Sequence, residues 1–290
     1  LAGALAVKVC QLCSVDFTLQ KFLLPLIDAM HEAGWEVTAV CSDGPYVDSL
    51  RSAGYRIETL PIVRGVNPLS HLKSLWMLVR LFRHERFDVL HAHTPVAALL
   101  GRVAARLAGI PLVIYTAHGF YFHDEMPPLK RRLFILLEYL GGKLTDFIFT
   151  QSAEDAVAAQ HLGIAAPARV LAIGNGVSVM RFDPAQQHPA KTRDEWDIPL
   201  NAIVVGMIVR LVLEKGYGEF FRAAEQLVAR HPNTYFLVVG ERLQSDYADN
   251  IDQALACAQQ VLRPRLVLAG MREDVPALVA AMDIFCLPSY

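Results

Sequence analysis

Two cations stand where an apolar run gives way to a helical pattern, in the stretch GMIVRLVLEKGYGEF (206–220). Arg210 follows the apolar run, and Lys215 precedes Gly216, where the helical pattern begins. The first N–H groups of a helix attract anions, and two nearby cations would strengthen that attraction. The spacing therefore predicts a site for a diphosphate group. The alternative interpretation is a solvated pair of loop cations tied to Glu214.

The sequence contains no evident metal site that could help to bind a diphosphate. It contains neither a D-x-D pair nor an H-E-x-x-H motif, and carboxylates are the usual protein ligands of the Mg²⁺ that handles phosphate. A fixed pair of cations is the other way to stabilise a departing phosphate. The site is accordingly predicted to need no metal and no separate cofactor. Cys10 and Cys13 lack a second pair at zinc spacing, which disfavours a metal or redox role for them.

Short apolar runs rich in Val, Ile and Leu alternate with segments of helical spacing along the whole chain. Continuously apolar runs indicate a sheet buried on both faces, which is typical of parallel strands covered by helices. The predicted fold class is α/β, with two Rossmann-like domains. The predicted strands are VKVCQLC (7–13), WEVTAVC (35–41), YRIETL (55–60), FDVLHAH (87–93), PLVIYTA (111–117), FIFTQ (147–151), ARVLAI (168–173), AIVVGMIV (202–209), TYFLVVG (234–240), RLVLAG (265–270) and DIFCLP (283–288).

A polar, proline-bearing stretch after Asn175-Gly176 interrupts this alternation and predicts a connector. We place the first domain at 1–174, the connector at 175–200 and the second domain at 201–290. In the second domain, helices are predicted at 217–230, 247–260 and 274–281. Ligands of such folds bind outside the carboxyl ends of the strands, in a cleft, so the chemistry is expected there.

Composition limits the class of protein. The 290 residues are 53% hydrophobic and 19% charged, which allows a large core divided between about two domains. The net charge of −2 provides no basic field, so nucleic acid is not an expected partner. The five cysteines are sparse and lie mostly in apolar runs, and no apolar stretch reaches the length of a membrane span. We therefore expect a cytoplasmic protein.

Four segments, in this order, resemble the retaining glycosyltransferases of the GT-B fold and the family 4 type, which act in bacterial polysaccharide and glycolipid synthesis. They are HAHTPVAALLGRVAARLAGIPLVIYTAHG (91–119), IGNGVSVMRFDP (173–184), RLVLEKGYGEFFRAAEQL (210–227) and VLAGMREDVPALVAAMDIFCLPSY (267–290). The resemblance covers nearly the whole chain. It implies that Arg210 and Lys215 bind the diphosphate of a nucleotide sugar, UDP-linked, without metal. Val209 stands where the family usually has glycine.

The resemblance alone implies further contacts with the donor. His118, in YTAHGF, would hydrogen-bond the donor sugar, and the alternative is a loop histidine satisfied by the backbone. The backbone of Gly270, Met271 and Arg272 would read the edge of the nucleobase. By itself this stretch is only a turn before a helix.

The acceptor side is predicted in the first domain. The family's glycine-rich loop after the first strand is replaced by CSVDFTLQKF (13–22). We therefore assign Asp16 of this loop to the acceptor side, and we assign His93 to the same side because the family often shows the H-x-H pair found at 91–93. For His93 and its neighbour His91 the alternative is a structural role. The implied acceptor is a glycan or a polyprenyl-linked sugar.

Asn175 and Gly176 match the family's segment between the domains, with Ser178 in place of the usual aspartate. Two segments of the first domain, 70–86 and 126–140, are basic and apolar together. They would dock on an anionic membrane, as a peripheral protein on the inner membrane face. The alternative is packed helices with a solvated edge.

The implied reaction moves a hexose or N-acetylhexosamine from the nucleotide sugar to the acceptor with retention. The alternatives are a nucleotide-sugar epimerase of the same fold and a non-catalytic two-lobed sugar-binding protein. The sequence stops at Tyr290 directly after a strand-like run, where the resemblance implies that donor-binding glutamates and closing helices would follow. We therefore expect an incomplete second domain and no sugar transfer by the 290 residues alone.

Overall fold

The chain folds into two compact units, divided between Asn175 and Gly176, and each is built around a parallel sheet. A computed structural model describes residues 6–63, 68–123, 126–242 and 250–289. Tyr290, at which the predicted truncation falls, lies outside the described residues. Helices alternate with parallel strands in both units. The predicted α/β class with two Rossmann-like domains is confirmed.

The described part of the first unit contains a sheet of seven parallel strands. The strands are β1 (Lys8–Val15), β2 (Glu36–Ser42), β3 (Ile57–Thr59), β4 (Val89–His93), β5 (Leu112–Ala117), β6 (Phe147–Thr150) and β7 (Val170–Ala172). The helices are α1 (Asp16–Thr18), α2 (Leu24–Glu32), α3 (Val47–Ser52), α4 (Pro68–Glu85), α5 (Pro95–Ala108), α6 (Pro128–Lys143) and α7 (Ala153–His161). The strand order β3-β2-β1-β4-β5-β6-β7 changes direction between β1 and β4. Loops diverge at such a switch point, which makes it the usual ligand site of this topology.

The apolar character of β1 reflects burial on both of its faces. Cys10 and Leu12 belong to one hydrophobic cluster, whereas Val9 and Cys13 belong to another. Successive strand residues point to opposite faces of a sheet, so the two clusters lie on its two sides. This is the physical reason why the strands read as continuous apolar runs and not as alternating ones.

The second unit repeats the pattern on a smaller scale. Its described strands are β8 (Ile203–Ile208), β9 (Thr234–Val239), β10 (Leu266–Leu268) and β11 (Ile284–Phe285), in the order β10-β9-β8-β11. Its helices are α8 (Pro189–Asp194), α9 (Tyr217–Arg230), α10 (Ile251–Leu262) and α11 (Val275–Ala281). Met207 packs with the α9 aromatics Phe220 and Phe221, while Val204 packs with Leu278 of α11 on the other side of the sheet.

Helix α8 lies inside the stretch predicted as a connector and is fastened to the second unit by Arg193. The buried guanidinium donates to the carbonyl oxygens of Ala281 at 3.0 Å and of Leu200 and Ala202 at 3.1 Å. Its Nη2 also donates to Asp283 Oδ2 at 2.9 Å. These bonds give each of the three guanidinium nitrogens a partner. The end of the connector is therefore part of the second unit's structure.

The two basic and apolar segments of the first domain form helices α4 and α6. Neither they nor any other helix in the described ranges has the length and apolar character that a membrane crossing requires.

Candidate active site

The second unit brings the two predicted cations to the carboxyl end of β8. Arg210 follows that strand, a short 3-10 turn spans Leu213–Lys215, and Gly216 immediately precedes α9. Gly216 has a left-handed φ of 78°, and a Cβ at this position would collide with the carbonyl group of Pro288. Glycine is therefore required both for the turn and for the close approach of the segment that follows β11.

Arg210 and Lys215 converge on one carboxylate oxygen. Arg210 Nη2 lies 2.8 Å from Glu214 Oε1, and Lys215 Nζ lies 3.9 Å from the same atom. The structure therefore contains the ion pair that the alternative interpretation described. The side chains of Arg210 and Glu214 are exposed, and exposed ion pairs contribute little stability. An incoming anion could consequently replace Glu214 at small energetic cost.

The ends of the three neighbouring strands β8, β9 and β10 are joined by backbone hydrogen bonds. The Gly240 N–H donates to the Gly270 carbonyl at 2.8 Å, and the Leu211 N–H donates to the Glu241 carbonyl at 3.1 Å. A Cβ at Gly240 would collide with the carbonyl of Val209. The loop that begins at Gly270 therefore lies beside the loop that carries Arg210 and Lys215.

The side chain of Arg272 belongs to a surface cluster. Its guanidinium is 2.9 Å from Glu195 Oε1 and 2.7 Å from Asp274 Oδ2, and it lies 5.6 Å from the ring centroid of Trp196. The hydrogen bond from Arg272 lowers the pKa of Asp274. Met271 next to it is exposed. The nucleobase contact predicted for 270–272 concerns backbone groups and stays a prediction.

Three histidines of the first unit come together at the carboxyl ends of β4 and β5. The ring centroids of His91 and His93 are 4.2 Å apart, and that of His118 is 5.3 Å from His93. His91 and His93 alternate along β4 and so share one face, while His118 directly follows β5. Adjacent parallel strands end at the same edge of the sheet, which places His118 beside His93.

A continuous chain of side-chain hydrogen bonds, which we call the histidine chain, links these rings. Gln11 of β1 contacts both β4 histidines, with Oε1 2.8 Å from His93 Nε2 and Nε2 3.3 Å from His91 Nδ1. His93 Nδ1 is 3.1 Å from His118 Nε2. His118 Nδ1 is 2.5 Å from Nε2 of Gln151, which follows β6.

Burial keeps the histidine chain neutral. It lowers the pKa of His91 to about 4, with the nearby His118 adding a smaller effect in the same direction. It also lowers the pKa of His93 well below its ordinary value, and to a lesser extent that of His118. All three rings are therefore uncharged at neutral pH, and each has one nitrogen that donates and one that accepts.

The structure gives His118 side-chain partners and not the backbone partner that the alternative interpretation assumed. Both of its ring nitrogens are bonded, one to His93 and one to Gln151. His93 is buried and bonded at both nitrogens, so it contacts His118 and not an open surface. The donor-sugar and acceptor-side roles assigned to these histidines stay predictions.

Thr94, directly after β4, marks strain beside the histidine chain. Its φ is 62°, a left-handed value that is rare for a β-branched residue. Ser14, near the end of β1, holds it: the Ser14 N–H donates to Thr94 Oγ1 at 3.0 Å, and the two hydroxyl oxygens are 2.7 Å apart. Strain of this kind persists only where neighbours impose it, and it is commonest at functional sites.

Asp16 lies at the turn from β1 into α1, which continues as a π-helical turn, Leu19–Leu23. Its buried carboxylate accepts from the Phe17 N–H at 2.9 Å and from the Tyr46 N–H at 2.8 Å. A Cβ at Gly44 would collide with this carboxylate. Asp16 thus braces the loop before α3, and its predicted acceptor-side role stays a prediction.

Asn175 and Gly176 are exposed and belong to no helix or strand. Sequence reasoning did not identify Gln11 or Gln151, although one signal was present: Gln11 is a polar residue in the middle of an apolar strand. Within the described ranges, no group of three or more His, Cys, Asp or Glu side chains is placed to hold a metal ion. Whether the protein works without metal stays a prediction.

Two family models match the chain. Residues 18–176 match the glycosyl transferase 4-like domain, and residues 190–290 match the glycosyl transferases group 1. The first model covers the seven-stranded unit except for its beginning, and the second begins in α8.

Two curated relatives are similar to this chain over most of its length. The UDP-Gal:alpha-D-GlcNAc-diphosphoundecaprenol alpha-1,3-galactosyltransferase of Escherichia coli is 28% identical over 275 residues, 93% of this chain and 70% of that protein. The N,N'-diacetylbacillosaminyl-diphospho-undecaprenol alpha-1,3-N-acetylgalactosaminyltransferase of Campylobacter jejuni is 25% identical, over 94% of this chain and 72% of that protein.

Solved structures share the fold. A glycosyltransferase from Rickettsia africae superposes with a TM-score of 0.77 at 17% identity, covering 99% of this chain and 74% of that one. HepE of Anabaena in complex with UDP-glucose gives 0.75 at 20% identity, covering 97% and 74%. A putative UDP-N-acetylglucosamine 2-epimerase from Listeria monocytogenes gives 0.66 at 14% identity, covering 97% and 73%. The chain belongs to the glycosyl transferase 4-like family, with a group 1 domain following, and has the GT-B fold.

Proposed function

We propose that the protein transfers a hexose or N-acetylhexosamine from a UDP-sugar to a glycan or polyprenyl-diphosphate-linked acceptor, with retention at the anomeric carbon. The names of both relatives include a diphosphoundecaprenol-linked acceptor, and one includes a UDP-sugar donor. The structural relative HepE holds UDP-glucose. The proposal extends these chemistries to this chain and rests on its own strand-end residues.

The observation that carries the proposal is the cation pair at the carboxyl end of β8. Arg210 and Lys215 lie beside Gly216, the residue before α9, and the first N–H groups of a helix carry partial positive charge. When the sugar leaves, negative charge grows on the diphosphate of UDP. The two cations and the helix terminus would stabilise that charge without a metal ion.

Glu214 supplies an internal control for this assignment. Its carboxylate contacts both cations, so a phosphate oxygen that bound them would have to take its place. Removing a cation should weaken the site, whereas removing the Glu214 charge should leave both cations available for the diphosphate. If the ion pair were purely structural, loss of a cation and loss of the Glu214 charge would change UDP binding in the same way.

The test compares Lys215→Ala with Glu214→Gln in the full-length protein. UDP binding is measured by calorimetry, and UDP release is measured with a panel of UDP-sugars, with and without a lipid-linked acceptor. Lys215→Ala should lower the transfer rate about a hundredfold. This corresponds to a loss of about 3 kcal/mol of transition-state stabilisation, the usual effect of removing one stabilising charge or hydrogen-bond donor. Glu214→Gln should bind UDP at least as tightly as the parent. Parent-like UDP binding and turnover in Lys215→Ala would contradict the assignment.

The same assay separates the alternatives. Acceptor-dependent UDP release supports transfer, whereas conversion of the UDP-sugar without any acceptor supports an epimerase, a class whose fold this chain shares. Binding without turnover supports a sugar-binding protein. Each result is read from the same reaction mixtures.

A lipid-linked acceptor would bring the enzyme to a membrane, and helices α4 and α6 each carry exposed apolar side chains that suit such contact. Leu69, Leu72 and Trp76 of α4 are exposed, and Arg80 lies 5.7 Å from the Trp76 ring. On α6 the exposed leucines recur at helical spacing: Leu129, Leu133, Leu136 and Leu140. Exposed basic side chains, among them Lys73 and Lys130, occur on both helices, so each suits an anionic bilayer more than a neutral one.

A further inference from the structure

The amide of Gln11 gives the histidine chain a direction. An amide accepts through its oxygen and donates through its nitrogen. Gln11 Nε2 lies 3.3 Å from the Met30 sulfur as well as 3.3 Å from His91 Nδ1. A thioether sulfur can only accept, so the donating end of the amide faces Met30 and His91. The accepting oxygen therefore faces His93, at 2.8 Å from its Nε2.

The tautomers of the next two rings follow from this direction. Because Gln11 Oε1 can only accept, His93 must carry its proton on Nε2, and its Nδ1 is then a lone pair. His118 Nε2, 3.1 Å from that lone pair, must in turn carry a proton. His118 Nδ1 is left as an acceptor, and the Gln151 amide nitrogen supplies the matching donor.

The hydrogen bonds at the His91 end of the histidine chain run in the same direction. His91 Nδ1 accepts from Gln11, so His91 Nε2 carries the proton and donates to Thr116 Oγ1 at 2.7 Å. Each contact thus pairs one donor with one acceptor. Gln11 is fully buried, where an amide with missing partners would be costly. This burial is why a single orientation of the amide is held.

We propose that Gln11 is a positioning residue for sugar transfer: acting through His93, it fixes His118 in the tautomer whose Nδ1 accepts a hydrogen bond from the substrate. The inference rests on the proposed function, together with the contact between His118 and the donor sugar that the family resemblance implies. A substrate group that takes the place of the Gln151 amide at Nδ1 must be a donor. A sugar hydroxyl or an amide N–H qualifies, whereas a group that only accepts does not.

The test reads the tautomers directly from ¹⁵N spectra of the histidine rings in the full-length protein. The parent should show His91, His93 and His118 protonated on Nε2. Gln11→Leu removes the acceptor for His93, so His118 should populate both tautomers. Gln11→Glu keeps the shape and, when ionised, presents acceptors at both oxygens. It should therefore keep His93 and His118 unchanged while moving the proton of His91 to Nδ1.

Thr116→Val is the matched control, because it removes the partner of His91 at the end of the histidine chain opposite to His118. His118 should keep its parent tautomer in this variant. Turnover with a UDP-sugar should fall about ten- to hundredfold in Gln11→Leu, by analogy with the loss of partners that orient metal-binding histidines. Gln11→Glu should restore most of this loss, and UDP affinity should stay close to that of the parent in both variants.

A parent spectrum with the His118 proton on Nδ1 would overturn the proposal, as would a Gln11→Leu protein that keeps the parent tautomer. A changed tautomer with parent-like turnover would equally overturn it. The ring spectra need no substrate. Parent tautomers as described, combined with no UDP release from any UDP-sugar, would therefore count against the proposed function and leave the tautomer assignment standing.

Discussion

The ion pair between Arg102 and Glu138 ties α5 to α6 in the interior of the first unit. Arg102 Nη2 is 3.2 Å from Glu138 Oε2, and the two side chains are 1% and 9% exposed. The Arg102 Nε donates to the Ala98 carbonyl, and the Tyr115 hydroxyl donates to Glu138 Oε1. Replacing Glu138 with alanine would leave a buried guanidinium without its carboxylate. Because water cannot solvate it there, we expect Glu138→Ala to destabilise the unit by about 3–5 kcal/mol.

A surface pair provides the comparison. Arg222 and Glu219 are closer together, at 2.6 Å, but their side chains are 68% and 40% exposed. Glu219→Ala should therefore change stability by less than about 1 kcal/mol, in spite of the shorter distance. Hydrogen exchange read by mass spectrometry on peptides from α5 and β5 reports the first unit, and peptides from α9 report the second.

The double variant Arg102→Met with Glu138→Ala completes the cycle. It should be less destabilised than the sum of the two single variants, because removing both charges leaves none buried alone. A Glu138→Ala effect no larger than that of Glu219→Ala would refute the reasoning from burial. Additive single effects would refute the coupling between the two charges.

Three further outcomes are expected. As the pH falls from 6.5 towards about 4, the unfolded first unit should take up a proton before the folded one, because the folded pKa of His91 lies at about 4. Stability should therefore decline across that window. Urea titrations at pH 7 and pH 4 should show that the free energy of unfolding drops by about 3 kcal/mol less in His91→Gln than in the parent. His118→Ala should lower turnover far more than UDP affinity, and equal losses in kinetic and calorimetric measurements would indicate a folding role. Flotation should show salt-sensitive binding to anionic vesicles and little binding to neutral ones. The double variant Lys130→Gln with Arg132→Gln should bind anionic vesicles more weakly. Binding that does not depend on lipid charge would contradict the proposed membrane contact.

Local sequence patterns were sufficient for the architecture. The helix predicted at 217–230 is found at Tyr217–Arg230, and the strand predicted at 147–151 is found at Phe147–Thr150. Both depend on hydrophobic periodicity and glycine punctuation, which are properties of neighbouring residues. The last strand is shorter than predicted from 283–288, because only Ile284–Phe285 pair with β8.

Partners distant in sequence could not be predicted in this way. Gln11 and His93 meet because β1 and β4 become neighbours at the point where the strand order reverses. Arg102 and Glu138 meet only when α5 and α6 pack together. The cation pair was accessible to sequence reasoning because its two members stand in one loop, whereas the orientation of the histidine rings depends on four separate strands.

Arg193 determines where the second unit can be separated from the first. A fragment that started at residue 201, the predicted domain boundary, would lose the guanidinium and leave the buried carbonyl of Ala281 and the carboxylate of Asp283 without this donor. The N–H of Val204 would then be the neighbour left to bind Asp283. A domain exchange between relatives should therefore keep residues from Pro189 onward together with the second sheet. A chimaera joined between Arg193 and Asp283 would have to match both sides of this contact.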